Sequence, residues 1–207
     1  MMVRKIKAEK LFDGFGFVED TILVVADGGT IKDLINSGDG GSDVEIYEGI
    51  ISPGFINCHC HLELSHMRSR IPEKTGLVDF VFKVVTERHL PKNEVEEAIQ
   101  VAEAEMILNG IVAVGDICNN DSTFQQKSKH HIRYYNFIEA SGWLPSVSEA
   151  RFQHALHVYT LFNALNQPAS IVPHAPYSVS NNLWEKLRPY FKNKVACMHN
   201  QETEDED

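Results

Sequence analysis

The sequence predicts an α/β protein whose main part is a parallel, barrel-type (β/α) sheet wrapped by helices, with a small β unit ahead of it. Three observations predict this. From residue 51 onward, apolar runs of strand length alternate with amphipathic runs of helix length, in the order β, α, α, β, α, β, α, β, α, β. The connections are long enough for parallel crossovers. Polar residues gather at the carboxyl ends of the strands, at His59, His61, Asp116, Glu139, His174 and His199, and that is the end where barrel enzymes hold their chemistry. An open doubly wound sheet would also use such strands, but no Gly-x-Gly-x-x-Gly and no phosphate loop follows the first of them.

In chain order, residues 1–50 form the leading unit. Val3 to Ala8, Thr21 to Ala26 and Val44 to Tyr47 are its strands, and the glycine-rich stretches Asp27-Gly28-Gly29 and Ser37 to Gly41 are its turns. We read it as antiparallel. Residues 51–207 form the barrel part. Pro53-Gly54 turns the chain into a strand running to His59 and His61, and Ser65 to Gly76 is a polar loop. Helices follow at Leu77 to Leu90, stopped by Pro91, and at Asn93 to Asn109, where Gly110 suits a C-terminal cap. Ile111 to Val114 is a short strand ending at Gly115-Asp116, and Asn119 to Ser122 can cap a helix from Thr123. Next come a strand at Ile132 to Ile138, a loop from Glu139 to Pro145 and a helix from Val147 to Leu165. Ser170 to Pro173 is a strand ending at His174, Asn181-Asn182 opens a helix to Phe191, and Val195 to Met198 is the last strand, ending at His199.

Composition limits the function. The chain has 207 residues, 43% of them apolar, which is enough for a sizeable core. A closed (β/α) barrel usually takes about 250 residues. The formal net charge is −10, and Glu202, Glu204, Asp205, Glu206 and Asp207 contribute an acidic run. Such a balance argues against a nucleic-acid or anionic-membrane partner. No apolar run is long enough for a membrane span, and Met1 to Lys10 lacks a signal-peptide core. Cys58, Cys60, Cys118 and Cys197 form no Cys-x-x-Cys pair, so reduced thiols in a cytoplasmic protein are expected.

Two stretches carry the chemistry. In Phe55-Ile56-Asn57-Cys58-His59-Cys60-His61 the two histidines project to one face of a strand, because side chains alternate. Two imidazoles side by side make half of a metal site. In His199-Asn200-Gln201-Glu202 a histidine precedes a carboxylate by three residues, which suits a metal ligand with a proton carrier beside it. Pro-Gly-Phe-Ile-Asn-x-His-x-His resembles the first barrel strand of the amidohydrolase superfamily, in its deaminase and chlorohydrolase branch. His199-x-x-Glu202 falls on the fifth strand, as that resemblance requires, and Pro173-His174-Ala175-Pro176 resembles the fourth-strand segment of the same branch.

The resemblance implies a TIM-like barrel of which this chain is the amino-terminal part, preceded by part of a small β-sandwich. It implies one divalent ion, zinc or iron, held by His59, His61 and His199. Glu202 would relay the proton, and His174 would contact a small-molecule substrate. The implied reaction is hydrolytic deamination of an amino-substituted purine, pyrimidine or related ring, as in guanine, adenosine-related or aminofutalosine deaminases. Displacement of halide from a triazine uses the same attack and stays open. The family pattern has three more strands, carrying another histidine and an aspartate. We therefore expect a longer enzyme, a companion carboxyl-terminal fragment or a homo-oligomer.

A two-metal cyclic amidohydrolase needs a bridging lysine or a glutamate from the middle strands, and Ser170 to His174 offers no lysine. A catalytically inactive half-barrel would act as a binding subunit. Cytidine-type deaminases pair His-x-Glu with Pro-Cys-x-x-Cys; His61-Leu62-Glu63 supplies only the first half. Glu63 is read as a substrate contact or a structural hydrogen-bonding group, and Asp116 as a turn or helix-dipole residue. Glu139 and Trp143 are read as loop residues, with lining of the pocket as the alternative, His154 and His157 are placed on a helix surface, and His130-His131 in a loop.

Overall fold

The computed structural model describes residues 3–204. The acidic run assigned to the carboxyl end therefore lies partly outside the described residues, at 205–207. The chain forms two compact units, one up to Gly54 and one from Phe55 onward.

The first unit is a five-stranded sheet of β1 (Val3–Phe12), β2 (Phe17–Val18), β3 (Thr21–Ala26), β4 (Ile31–Asn36) and β5 (Val44–Ile51). It is mixed, which corrects the antiparallel expectation. β1 pairs antiparallel with β2 and β3 but parallel with β5, from Lys5↔Val44 to Leu11↔Ile51. β4 was missed, because Lys32 and Asp33 interrupt its apolar residues. It is an edge strand with mostly exposed side chains, where charge discourages further pairing.

The second unit holds four parallel strands in the order β6 (Phe55–Cys60), β7 (Ile111–Cys118), β8 (Arg133–Ala140) and β9 (Ala169–Pro173). α1 (Leu77–Glu87) and α2 (Lys92–Leu108) lie between β6 and β7, and the short α3 (Phe124–Lys127) follows β7. α4 (Ser148–Ala164) follows β8, and α5 (Asn181–Phe191) follows β9 with Ser180 Oγ accepting from Leu183 N–H at 3.4 Å. Gly110, at φ 76, closes α2 as a left-handed cap and turns the chain straight into β7.

Alternation assigns the faces. Val114, Tyr134, Ile138 and Ile171 point toward the helices, where Ile99 of α2, Val158 and Phe162 of α4 and Leu183 and Leu187 of α5 pack on them. Each such side chain, once fully buried, contributes about 1.5–3 kcal/mol. Ile117, Phe137 and Val172 form a separate cluster on the opposite, inner face. Burial on both faces is the condition under which parallel strands read as continuous apolar runs.

Two strand assignments change. β8 continues through Glu139 to Ala140, so Glu139 lies in a strand and not in a loop. Val195 to Met198 forms no strand. Among the described residues, one backbone bond, His199 N–H to the His174 carbonyl at 2.8 Å, ties the end of this segment to the end of β9. The Val195 carbonyl is instead taken by two hydroxyls, Ser170 Oγ at 2.9 Å and Tyr135 OH at 3.3 Å. The segment is apolar enough for a strand but has no ladder.

Candidate metal centre

The inner face of β6 presents His59, and the chain leaves the strand at Cys60, so His61 is the first residue beyond it. Behind β6, Gly115 brings β7 close: a Cβ there would sit 2.6 Å from the Cys58 carbonyl oxygen. This packing fixes the strand segment that carries His59. Past the strand end, Asp116 Oδ1 accepts the Leu62 N–H at 2.8 Å, immediately after His61. Asp116 itself faces the helices, where the ammonium of Lys127 contacts its other oxygen. It is a buried structural anion, neither a turn residue nor a ligand. Lys127 also donates to Asn136 Oδ1 at 2.8 Å.

His59, His61 and His199 come together although 138 residues separate His59 from Cys197 beside it. Their ring centroids are 5.2 Å apart for 59–61, 4.9 Å for 59–199 and 5.2 Å for 61–199. One nitrogen from each ring lies within 4.8 Å of the others. A second group, Glu139, His174 and His199, meets the same criterion and shares His199.

The donor set fits a divalent ion. His61 Nδ1 and His199 Nε2 are buried with no hydrogen-bond partner. Leaving a buried polar atom unpaired costs about 1–3 kcal/mol, so two such nitrogens on rings whose centroids lie 5.2 Å apart suit a common partner. The remaining nitrogen of His199 is occupied, with Nδ1 2.9 Å from Glu202 Oε1. A carboxylate on one ring nitrogen fixes the ring and makes the other a better ligand. Glu139 Oε1 stands 3.4 Å from His199 Nε2, at ion-pair distance but without hydrogen-bond geometry.

The electrostatics agree. Burial pulls the His59 and His61 imidazoles below their ordinary pKa, and the charge of His199 adds to this for both. They are therefore held neutral, the form that ligates. His199 is shifted upward, first by Glu139 and then, against the effect of burial, by Glu202. Burial pushes the Glu139 carboxyl up, but His199, His174 and Asn119 together outweigh it and leave it below its ordinary value.

Sequence reasoning put Glu139 at a strand end, as a loop residue that could line the pocket, and gave it no part in the metal centre. The residue is 6% exposed, Asn119 Nδ2 donates to its Oε2 at 3.0 Å, and its carboxylate lies beside His174 and His199. The signal was available: Tyr135, Phe137 and Glu139 share one face if the strand runs on. Glu202 lies on the Nδ1 side of His199, away from the bare Nε2. His174 Nδ1 is 2.8 Å from Ser178 Oγ, and its ring lies 5.0 Å from that of His199. The other candidates lie elsewhere. Trp143 is exposed, His154 Nε2 contacts the Asn119 carbonyl at 2.8 Å, and His131 Nδ1 contacts buried Glu103 at 2.8 Å. Glu63 is buried, and its Oε2 accepts the Asn119 and Asn120 N–H groups at 2.9 and 3.2 Å.

Among the described residues, no helix is long and apolar enough to cross a membrane. A model of the amidohydrolase family matches residues 50–204. No curated protein matches. Among solved structures, the chain is similar to Helicobacter pylori aminofutalosine deaminase in complex with methylthio-coformycin. The TM-score is 0.80 at 19% identity, covering 97% of this chain and 51% of that one. It is similar to a guanine deaminase from C. acetobutylicum with guanine bound, at TM-score 0.77 and 19% identity, covering 99% and 54%. It is also similar to an atrazine chlorohydrolase from Arthrobacter aurescens complexed with zinc, at TM-score 0.69 and 18% identity, covering 97% and 52%. At such identities the likeness establishes the fold. The chain spans about half the length of these solved relatives.

Proposed function

The chain belongs to the amidohydrolase family, and from that premise we propose that it carries the metal-binding part of a hydrolase that deaminates an amino-substituted purine, pyrimidine or related ring. The observation that supports this most is the convergence of His59, His61 and His199, with two bare buried nitrogens, beside the carboxylates of Glu139 and Glu202. His59, His61 and His199 would hold one divalent ion, zinc or iron, since imidazole nitrogen suits both. When bound, such an ion supplies Lewis-acid charge that acidifies water and stabilises negative charge developing on a substrate.

The chain's own groups divide the remaining work. Burial keeps His59 and His61 neutral, so neither must lose a proton before ligating. Glu202 is proposed as the proton carrier. It stands 2.9 Å from His199, and its side chain is 38% exposed, so it can reach both the ring and solvent. Glu139, buried and held in the ionised range, offsets the positive charge gathered there. His174 is proposed to orient the substrate ring. Its Nδ1 is engaged with Ser178, which leaves Nε2 to hydrogen-bond a ring nitrogen or hydroxyl.

A second reading, displacement of chloride from a triazine, is favoured by the likeness to the chlorohydrolase. One experiment separates the two. The zinc-loaded protein is incubated with guanine, adenosine and a chlorotriazine, and released ammonium and chloride are both measured. Ammonium release from a ring amine, abolished in Glu202→Gln while metal stays bound, supports the deaminase. Chloride release alone supports the other reading, and turnover at the wild-type rate by Glu202→Gln removes Glu202 from its role.

A further inference from the structure

His59 and His199 belong to opposite ends of the four-stranded sheet. His59 lies on β6, the first strand in the order, and His199 is tied by its N–H to the end of β9, the last. Cys197 joins the two. It stands two residues before His199, and its Sγ lies 3.3 Å from Nδ1 of His59. The sulfur is held from behind, because Cys197 packs against the inner-face cluster of Ile117, Phe137 and Val172. Its flanks are fixed as well. The Val195 carbonyl accepts from Ser170 Oγ and Tyr135 OH, and the His199 N–H donates to the His174 carbonyl. The other thiols sit elsewhere. Cys58 is exposed, Cys60 packs with the helix-side cluster, and Cys118 Sγ is 3.2 Å from Lys127 Nζ.

The contact decides which nitrogen of His59 is free. A neutral imidazole carries one hydrogen, and a cysteine sulfur is a weak donor and a weak acceptor. If the thiol donated to Nδ1, the ring hydrogen would sit on Nε2 and neither nitrogen could ligate. If Nδ1–H donates to the sulfur, Nε2 is bare. His59 is also the exposed member of the three histidines, whereas His61 and His199 are half-buried. Its ring is the least enclosed, so an outer contact has most to do there. His199 has the matching arrangement, with Glu202 on its Nδ1. A partner on one ring nitrogen fixes both the hydrogen and the plane of a ligating ring.

We propose that Cys197 is a positioning residue of the metal centre: its sulfur accepts the Nδ1 hydrogen of His59 and so fixes Nε2 as the ligating nitrogen. The same contact sets β6 against the segment that carries His199, so two ligands from distant parts of the chain keep their spacing. The inference rests on the proposed three-imidazole centre and adds a residue to it.

Two measurements on the full chain test this. Long-range proton–nitrogen NMR of zinc-loaded, nitrogen-15-labelled protein reads each imidazole, with the His59 ring assigned through its backbone. His59 should carry a hydrogen on Nδ1 and zinc on Nε2. Competition with a chromophoric chelator gives zinc affinity. Cys197→Ala should bind zinc about tenfold more weakly, at the low end for loss of an outer partner of a ligating histidine. Its thermal midpoint without metal checks that it is folded. Cys58→Ala, which removes an exposed thiol beside His59, should keep wild-type affinity. The proposal is overturned if zinc sits on Nδ1 of His59, if folded Cys197→Ala keeps wild-type affinity, or if Cys58→Ala weakens zinc binding as much. If Cys197→Ala does not fold, the wild-type imidazole spectrum decides alone. Wild-type protein that takes up no zinc overturns the three-imidazole reading and this one with it; stoichiometric uptake with zinc on Nδ1 of His59 overturns this one alone.

Discussion

Lys127→Met tests the packing that holds the turn after His61. Both members of the Lys127–Asp116 pair have 0% exposed side chains. Burial pulls the lysine's pKa down, but Asp116 and Cys118 together outweigh it and leave it above its ordinary value. Removing the ammonium leaves an Asp116 carboxylate whose Oδ1 still holds the Leu62 N–H but whose Oδ2 has lost its cation. Breaking one side of a buried pair costs about 3–5 kcal/mol. Losing the bond to Asn136 adds about 1 kcal/mol. Methionine fills most of the volume over Phe162 and Tyr134, so we expect about 4 kcal/mol in all, a large part of the roughly 5–15 kcal/mol of a typical domain. Urea denaturation followed by circular dichroism at neutral pH measures it, in a cycle with Asp116→Asn. Asparagine still accepts from Leu62 without the charge, so the double variant should lose at least about 2 kcal/mol less than the sum of the singles. A loss below about 1 kcal/mol in Lys127→Met, or additivity within about 0.5 kcal/mol, would refute the reasoning.

Further predictions concern the same rim of the sheet. Burial raises the Glu63 carboxyl from 4.5 to about 7. Between those values the folded chain binds more protons than the unfolded one, so stability falls as pH rises from about 4.5 to about 7 and is flat above. The size is about 3 kcal/mol, and Glu63→Gln should remove this slope from urea midpoints taken across the range; an unchanged slope contradicts it. Gly115→Ala would place a Cβ 2.6 Å from the Cys58 carbonyl oxygen and 2.9 Å from the Phe137 ring. It should cost about 1–3 kcal/mol and lower zinc affinity by displacing β6, both measurable on one preparation; a wild-type thermal midpoint would show that the strands can separate freely.

Much of this was legible because the code is local. The spacing of His59 and His61 brings the two rings together, although His61 lies one residue past the strand it was read into, and Gly110 reads as a helix stop and Leu77 and Phe191 as helix bounds. What failed depended on partners distant in sequence. Val195–Met198 has strand composition, but two side-chain hydroxyls take the carbonyl a ladder would use. Ile31–Asn36 has a broken apolar pattern and is a strand because β3 pairs with it. The roles of Glu139 and Asp116 turn on which face of a strand they occupy, and β8 and β7 each run past the point where their apolar runs end. The spacing of Glu202 from His199 is local, whereas the side of the ring it approaches depends on the fold.

The central claim is that three imidazoles share one ion. The most direct test is metal stoichiometry by elemental analysis after zinc loading and gel filtration, on wild type and on His59→Ala, His61→Ala, His199→Ala and His174→Ala. We predict one zinc per chain in the wild type and in His174→Ala, and loss of tight binding in the other three variants. Retention of a full equivalent of zinc by His61→Ala and His199→Ala would contradict the account.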